Sequence, residues 1–147
     1  MGRIEKSVEI RAPPEKVWEM LALDRWPEWM DGWKDAEYTS EVHTPEDKYK
    51  VGATARFIDK HSKLMMTITD SLENEKITYR SSYSFVHRID LTYVLELVEK
   101  GTKLTYLVNY EMIDWGILGK IIFKLMMMAS RKEIERSLEN LKSILEK

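Results

Sequence analysis

The chain has 147 residues, a formal net charge of −2 and no cysteine. That length suits one domain, residues 1–147, large enough to bury a real core. Lysine and arginine are interleaved with acids rather than gathered into a phosphate-neutralising patch, which argues against nucleic acid as a partner, and the missing thiols exclude disulfides, thiolate zinc sites and a cysteine nucleophile.

The elements read in order along the chain. Ile4, Val8 and Ile10 alternate with Glu5, Ser7 and Glu9, which predicts a half-buried strand with no apolar signal segment ahead of it. Ala12-Pro13-Pro14-Glu15 then starts a helix over residues 13–21, with proline tolerated in the first turn and Val17, Trp18 and Leu21 on the buried side. Asp24 and the run Trp26-Pro27-Glu28-Trp29 predict a turn and a second short helix, closed by Asp31-Gly32. Six strand patterns follow, near residues 36–42, 53–58, 64–69, 76–83, 87–98 and 103–112. Gly52, residues 70–74 and Lys100-Gly101 separate them at hairpin-like spacing, and the polar stretch 44–50 reads as a loop.

The chain closes on Phe123, Met127, Ile134, Leu138, Leu141 and Leu145, which share one face of a helix. A helix of roughly 30 residues is about 45 Å long. A sheet that buries its stripe has to curl around it, and a curved sheet gripping a helix encloses a cavity. The apolar stretch 115–129 is interrupted by Lys120 and Lys124 and is too short to span a bilayer, so a soluble, cytoplasmic protein is expected. Glutamine is absent and Glu with Lys dominates the charged set, a thermophile-like composition.

Several short stretches carry a resemblance. These are Ile10-Arg11-Ala12-Pro13-Pro14-Glu15-Lys16-Val17-Trp18, Trp26-Pro27-Glu28-Trp29, Val51-Gly52 before a strand, Gly101-Thr102-Lys103-Leu104-Thr105 in the last hairpin, and Leu138-Glu139-Asn140-Leu141-Lys142. In this order, over essentially the whole chain, they resemble the helix-grip (SRPBCC) superfamily of START domains, the birch-pollen allergen family and the polyketide cyclase/dehydrase-like proteins. The resemblance implies an α+β fold in which about seven antiparallel strands wrap a long C-terminal helix, with two short helices after strand 1. Its uses are diverse: lipid and hormone binding, polyketide aromatisation, co-chaperone work. None of the motifs specifies a reaction.

Strand phase nominates the interior. Ala53, Ala55 and Phe57 share a face, as do Leu64, Met66 and Ile68, then Ile77, Tyr79, Ser81 and Tyr83, and finally Leu104, Tyr106, Val108, Tyr110 and Met112. Such a wall suits a hydrophobic ligand with one or two polar handles. It equally suits a dry core whose phenols reach the rim. Asp90 and Glu96, and likewise Arg56 and Arg80, fall out of phase with the apolar positions and are expected to face water. No buried acid–base pair is therefore expected, and no catalytic residue is assigned. His43, His61 and His87 lie on separate segments with no metal-ligand spacing, so no metal site and no cofactor are expected. No nucleotide-binding or nucleophile-elbow motif is present.

Trp18 and Trp26 are assigned to the core. Trp29 and Trp33, beside Met30 and Gly32, are assigned to a mobile lid over the entrance that this family architecture implies. The expected ligand contacts are thus Trp29, Trp33, Phe57, Met66, Tyr79, Tyr106, Tyr110, Phe123 and Met127. The expected function is binding of a small or medium hydrophobic, lipid- or polyketide-like molecule between sheet and C-terminal helix. The alternatives are a polyketide cyclase/aromatase using cavity tyrosines, and a protein or membrane interaction module. Ile117, Leu118, Ile121, Leu125 and Met128 form a second apolar face on the last helix, expected to be exposed in part and to serve, through Ile117, Ile121 and Leu125, a homodimer or a peripheral membrane contact.

Overall fold

A computed structural model of the protein describes residues 2–30, 35–58, 63–81, 86–112 and 116–147. Its elements are β1 (Gly2–Ile10), α1 (Pro14–Glu19), α2 (Trp26–Trp29), β2 (Asp35–Tyr38), β3 (Thr54–Ile58), β4 (Lys63–Leu72), β5 (Lys76–Ser81), β6 (Val86–Val98), β7 (Gly101–Met112) and α3 (Gly116–Leu145). The strands form one curved antiparallel sheet in the order β1-β7-β6-β5-β4-β3-β2. The helix-grip α+β architecture expected from the sequence is the one observed, with β1 pairing last.

Local chemistry explains the elements. Pro13 and Pro14 open α1, where a missing N–H leaves nothing unpaired, and Glu15 sits in the first turn against the positive end of the helix dipole. On β5, Ile77, Tyr79 and Ser81 are buried and alternate with Lys76, Thr78 and Arg80. On β7, Thr102, Leu104, Tyr106, Val108 and Tyr110 are all buried in the same rhythm. The β6–β7 turn reaches the corner between β1 and α1. A side chain at Gly101 would collide with the Ile10 carbonyl, and buried Thr102 donates its hydroxyl to Ala12 O at 2.8 Å.

Three stretches depart from expectation. Residues 44–50 are not irregular: Pro45–Tyr49 form a 3-10 helix. Asp47 Oδ2 accepts the backbone N–H of His43 at 2.9 Å and of Thr44 at 3.1 Å, so a Thr-x-x-Asp capping box organises this polar run. β2 is shorter than its pattern. β4 runs on to Leu72 because a bulge between Ile68 and Asp70 lets it continue past Thr69, and the turn falls instead at Asn74, in the left-handed region at φ 62°.

α3 packs chiefly on β1 and α2. Its C-terminal half is fastened there by polar contacts as well as by Ile134, Leu138 and Leu141. Asn140 Nδ2 donates to Trp29 O at 3.2 Å, Lys142 Nζ donates to Glu9 O at 2.8 Å, and the Arg11 N–H donates to Glu146 Oε2 at 2.9 Å. Among the described residues, no helix is long and apolar enough to cross a membrane.

Candidate functional site

Where α1 ends, the carbonyls of Met20 and Leu21 point inward with no helical partner, and aromatic side chains fill that need. Trp29 Nε1 donates to Met20 O at 2.7 Å and Trp26 Nε1 to Leu21 O at 3.0 Å; the Tyr79 hydroxyl also donates to Leu21 O. These anchors hold a continuous aromatic cluster. Trp26 stacks on Phe57 with ring centroids 5.2 Å apart and meets the edge of Tyr79 at 4.8 Å. Tyr93 stands edge-on to Trp29 and to Tyr79, each at 6.0 Å, and to Tyr106 at 4.5 Å. Such perpendicular contacts are the favoured geometry for ring quadrupoles.

Besides the anchored indoles, the aromatic cluster carries phenol hydroxyls. Burial pushes the hydroxyls of Tyr79 and Tyr93 well above their ordinary pKa, so both stay protonated. The Tyr79 hydroxyl is committed to Leu21 O. That of Tyr93 is fully buried without a well-formed hydrogen bond, its interaction being with the Tyr106 phenol. Tyr110, also raised by burial, pairs with the Ser130 hydroxyl across the gap between β7 and α3. Other buried polar side chains among the described residues are Ser81, Thr102 and Ser137. Asp90 and Glu96 lie on the outward phase, where Arg80 Nε meets Asp90 Oδ1 at 2.9 Å. His43 is exposed beside Glu41, and no cluster of three or more His, Asp or Glu suited to a metal occurs among the described residues.

The inward stripe of α3 divides in two. Ile134, Leu138 and Leu141 are 7%, 3% and 0% exposed, whereas Phe123, Met126 and Met127 on the same side are only half-buried. Phe123 lies directly over the Gly2 backbone, where a side chain would strike the ring, and the Met127 Cε would sit 3.1 Å from the added carbon. Tyr110 meets Phe123 edge-on at 6.0 Å. Inward side chains of α3 are thus fully packed at Ile134, Leu138 and Leu141 and partly exposed at Phe123 and Met127.

The nominated residues fall into this frame in three groups. Phe57, Tyr79, Tyr106 and Trp29 belong to or border the aromatic cluster, with Met66 buried on β4 opposite Ala55. Tyr110, Phe123 and Met127 line the looser end. Trp33, with His61 and Tyr83, lies outside the described residues. Trp29 requires a correction. Its indole is 1% exposed and bonded to Met20 O, and its own carbonyl is held by Asn140, so it is a fixed part of the core rather than a mobile lid. The segment carrying it sits over the C-terminal half of α3, away from Phe123. Tyr93, Gly2 and Ser130 join the site without having been nominated. Tyr93 shares its phase with Leu91 and Leu95, which is the signal the sequence offers for it.

The family's sequence profile, described as polyketide cyclase / dehydrase and lipid transport, matches residues 1–146. The chain belongs to that family. A sequence search among curated proteins finds no match. Solved structures share the fold at low identity. The Aha1 dimer from Colwellia psychrerythraea is 18% identical with a TM-score of 0.72, over 99% of this chain and 97% of that one. The di-domain ARO/CYC StfQ from the steffimycin biosynthetic pathway is 11% identical with a TM-score of 0.77, over 98% of this chain and 50% of its own. TTHA0849 from Thermus thermophilus is 18% identical with a TM-score of 0.72, over 97% and 95% of the two chains. At such identities the likeness establishes architecture alone.

Proposed function

We propose that residues 1–147 act as a single ligand-binding domain that takes a small or medium hydrophobic molecule between the sheet and α3. The molecule enters beside Phe123 and Met127, and the Tyr93–Tyr106 pair offers its polar handle. The carrying observation is the change along one helix stripe from buried Ile134, Leu138 and Leu141 to half-buried Phe123, Met126 and Met127. A side chain that faces inward and still meets solvent marks an opening lined by apolar groups. The lipid-transport part of the family description agrees with this use.

Organic extracts of protein purified without detergent, read by mass spectrometry, should contain a co-purified apolar compound. A hydrophobic dye should be displaced by it from the wild type, and Met127→Asp should weaken the dye by about tenfold or more, since the charge would have to be desolvated in the opening. Equal dye affinity in both proteins would remove the opening from the reading.

The Tyr93 hydroxyl favours a second reading, a cyclase or aromatase. A protonated, incompletely bonded phenol inside an apolar wall can donate to a substrate carbonyl. If Tyr93→Phe abolishes turnover of a polyketide while its binding survives, the enzyme reading replaces the carrier.

A further inference from the structure

Opposite the sheet-facing stripe, the first half of α3 presents Ile117, Leu118, Ile121, Leu125 and Met128 to solvent, at 80%, 67%, 53%, 62% and 57% exposure. At 3.6 residues per turn these five fall within an arc of about 100° and extend about 17 Å along the axis. The α2 segment lies elsewhere: the Trp29 carbonyl accepts from Asn140, at the other end of the helix. The charges beside the apolar strip itself are positive, and acids begin only beyond it, at Glu133 and at Glu135, which pairs with Lys6. Residues 116–132 contain Lys120, Lys124, Arg131 and Lys132, all exposed, and no Asp or Glu, within a chain of net charge −2. Lys120, Lys124 and Arg131 border one edge of the apolar strip and Lys132 closes its end.

We propose that this face docks the protein on an anionic membrane surface, with the first half of α3 lying in the interface plane. The apolar strip enters the headgroup–acyl boundary while the lysines and Arg131 meet lipid phosphates. A second copy is the poorer occupant. A two-fold contact would set the cations of one helix against the same cations of the other, with no carboxylate among residues 116–132 to offset them. The inference rests on the outward face of α3 and holds whatever the interior carries.

The test is co-sedimentation with phosphatidylcholine vesicles, with and without about a quarter phosphatidylglycerol. The wild type should bind the anionic vesicles at least about tenfold more tightly than the neutral ones, and added salt should weaken it. Ile121→Glu with Leu125→Glu should abolish binding with the melting temperature nearly unchanged. Lys120→Gln with Lys124→Gln, at two exposed positions that keep the fold, should weaken binding by about tenfold or more. The proposal is overturned if the wild type ignores anionic vesicles, or if neither pair of substitutions alters binding. It is also overturned if the glutamate pair unfolds the protein, since the face would then be core. A concentration-dependent dimer that the glutamate pair dissolves, without vesicle binding, would assign the face to a second copy.

Discussion

Two tyrosines on neighbouring strands make the residue-scale contrast. Tyr79 and Tyr93 are both fully buried, yet only the Tyr79 hydroxyl has an acceptor in Leu21 O. Tyr79→Phe is expected to cost about 1 kcal/mol in chemical denaturation, because a net hydrogen bond is lost while Leu21 O keeps the Trp26 indole. Tyr93→Phe is expected to be neutral or stabilising in the same experiment, since it removes a polar atom whose burial is poorly compensated. A larger loss at Tyr93 than at Tyr79 would contradict the assignment of partners. Sequence period alone identifies Phe57, Tyr79, Tyr106 and Tyr110 as interior. It cannot say which phenol is spent, because the acceptor belongs to the end of α1, 58 residues away from Tyr79 along the chain.

At the scale of elements, α3 is one helix with two duties. Leu141 is fully buried in the core, so Leu141→Ala is expected to cost about 2–5 kcal/mol. Met127 is half-buried and flexible, and Met127→Ala should cost about 1 kcal/mol or less while changing dye affinity. Thermal denaturation and dye titration on the two variants would separate support from function; equal destabilisation would mean the helix is uniformly packed. Both faces of α3 are legible from residue spacing, including the outward one, because helix phase is a property of the sequence itself. The anchoring of Trp29 is not, since hydrogen bonds to Met20 and from Asn140 decide whether an aromatic side chain is fixed or free to act as a lid. The helix at Pro45–Tyr49 hides behind the polarity of its residues, and only capping reveals it: Thr44 and Asp47 stand at the required spacing.

For the molecule as a whole, the same phenols set its response to alkali. Burial raises Tyr38, Tyr79, Tyr93 and Tyr110, and pushes Tyr49 up to about 12. Each native pKa lies above its unfolded value of 10.0, so this contribution is intact below that pH and is lost as pH rises through the native values. Tyrosinate absorbance should therefore lag an exposed-tyrosine reference and then rise together with loss of the far-ultraviolet circular dichroism signal. Gradual ionisation without unfolding would count against the burial. In acid the signs reverse. Lys50 lowers Asp47, Lys6 lowers Glu135 and the Arg11 N–H lowers Glu146, so their support is present above the ordinary carboxylate range and fades as pH falls below it. These groups are exposed and the acid effect is correspondingly modest. The strand order has a further consequence, for the birth of the protein rather than its equilibrium. β1 pairs along its whole length with β7, Ile4 facing Val108 and Ile10 facing Thr102, so a nascent chain carries its first strand unpaired until nearly all of the sheet has been synthesised. The hairpins from β2 to β6 can assemble locally, but the sheet acquires its last edge, and α3 its seat on β1, only at the end. Closing so long a loop slows folding, and the waiting strand is the part of the molecule that a chaperone has most reason to hold.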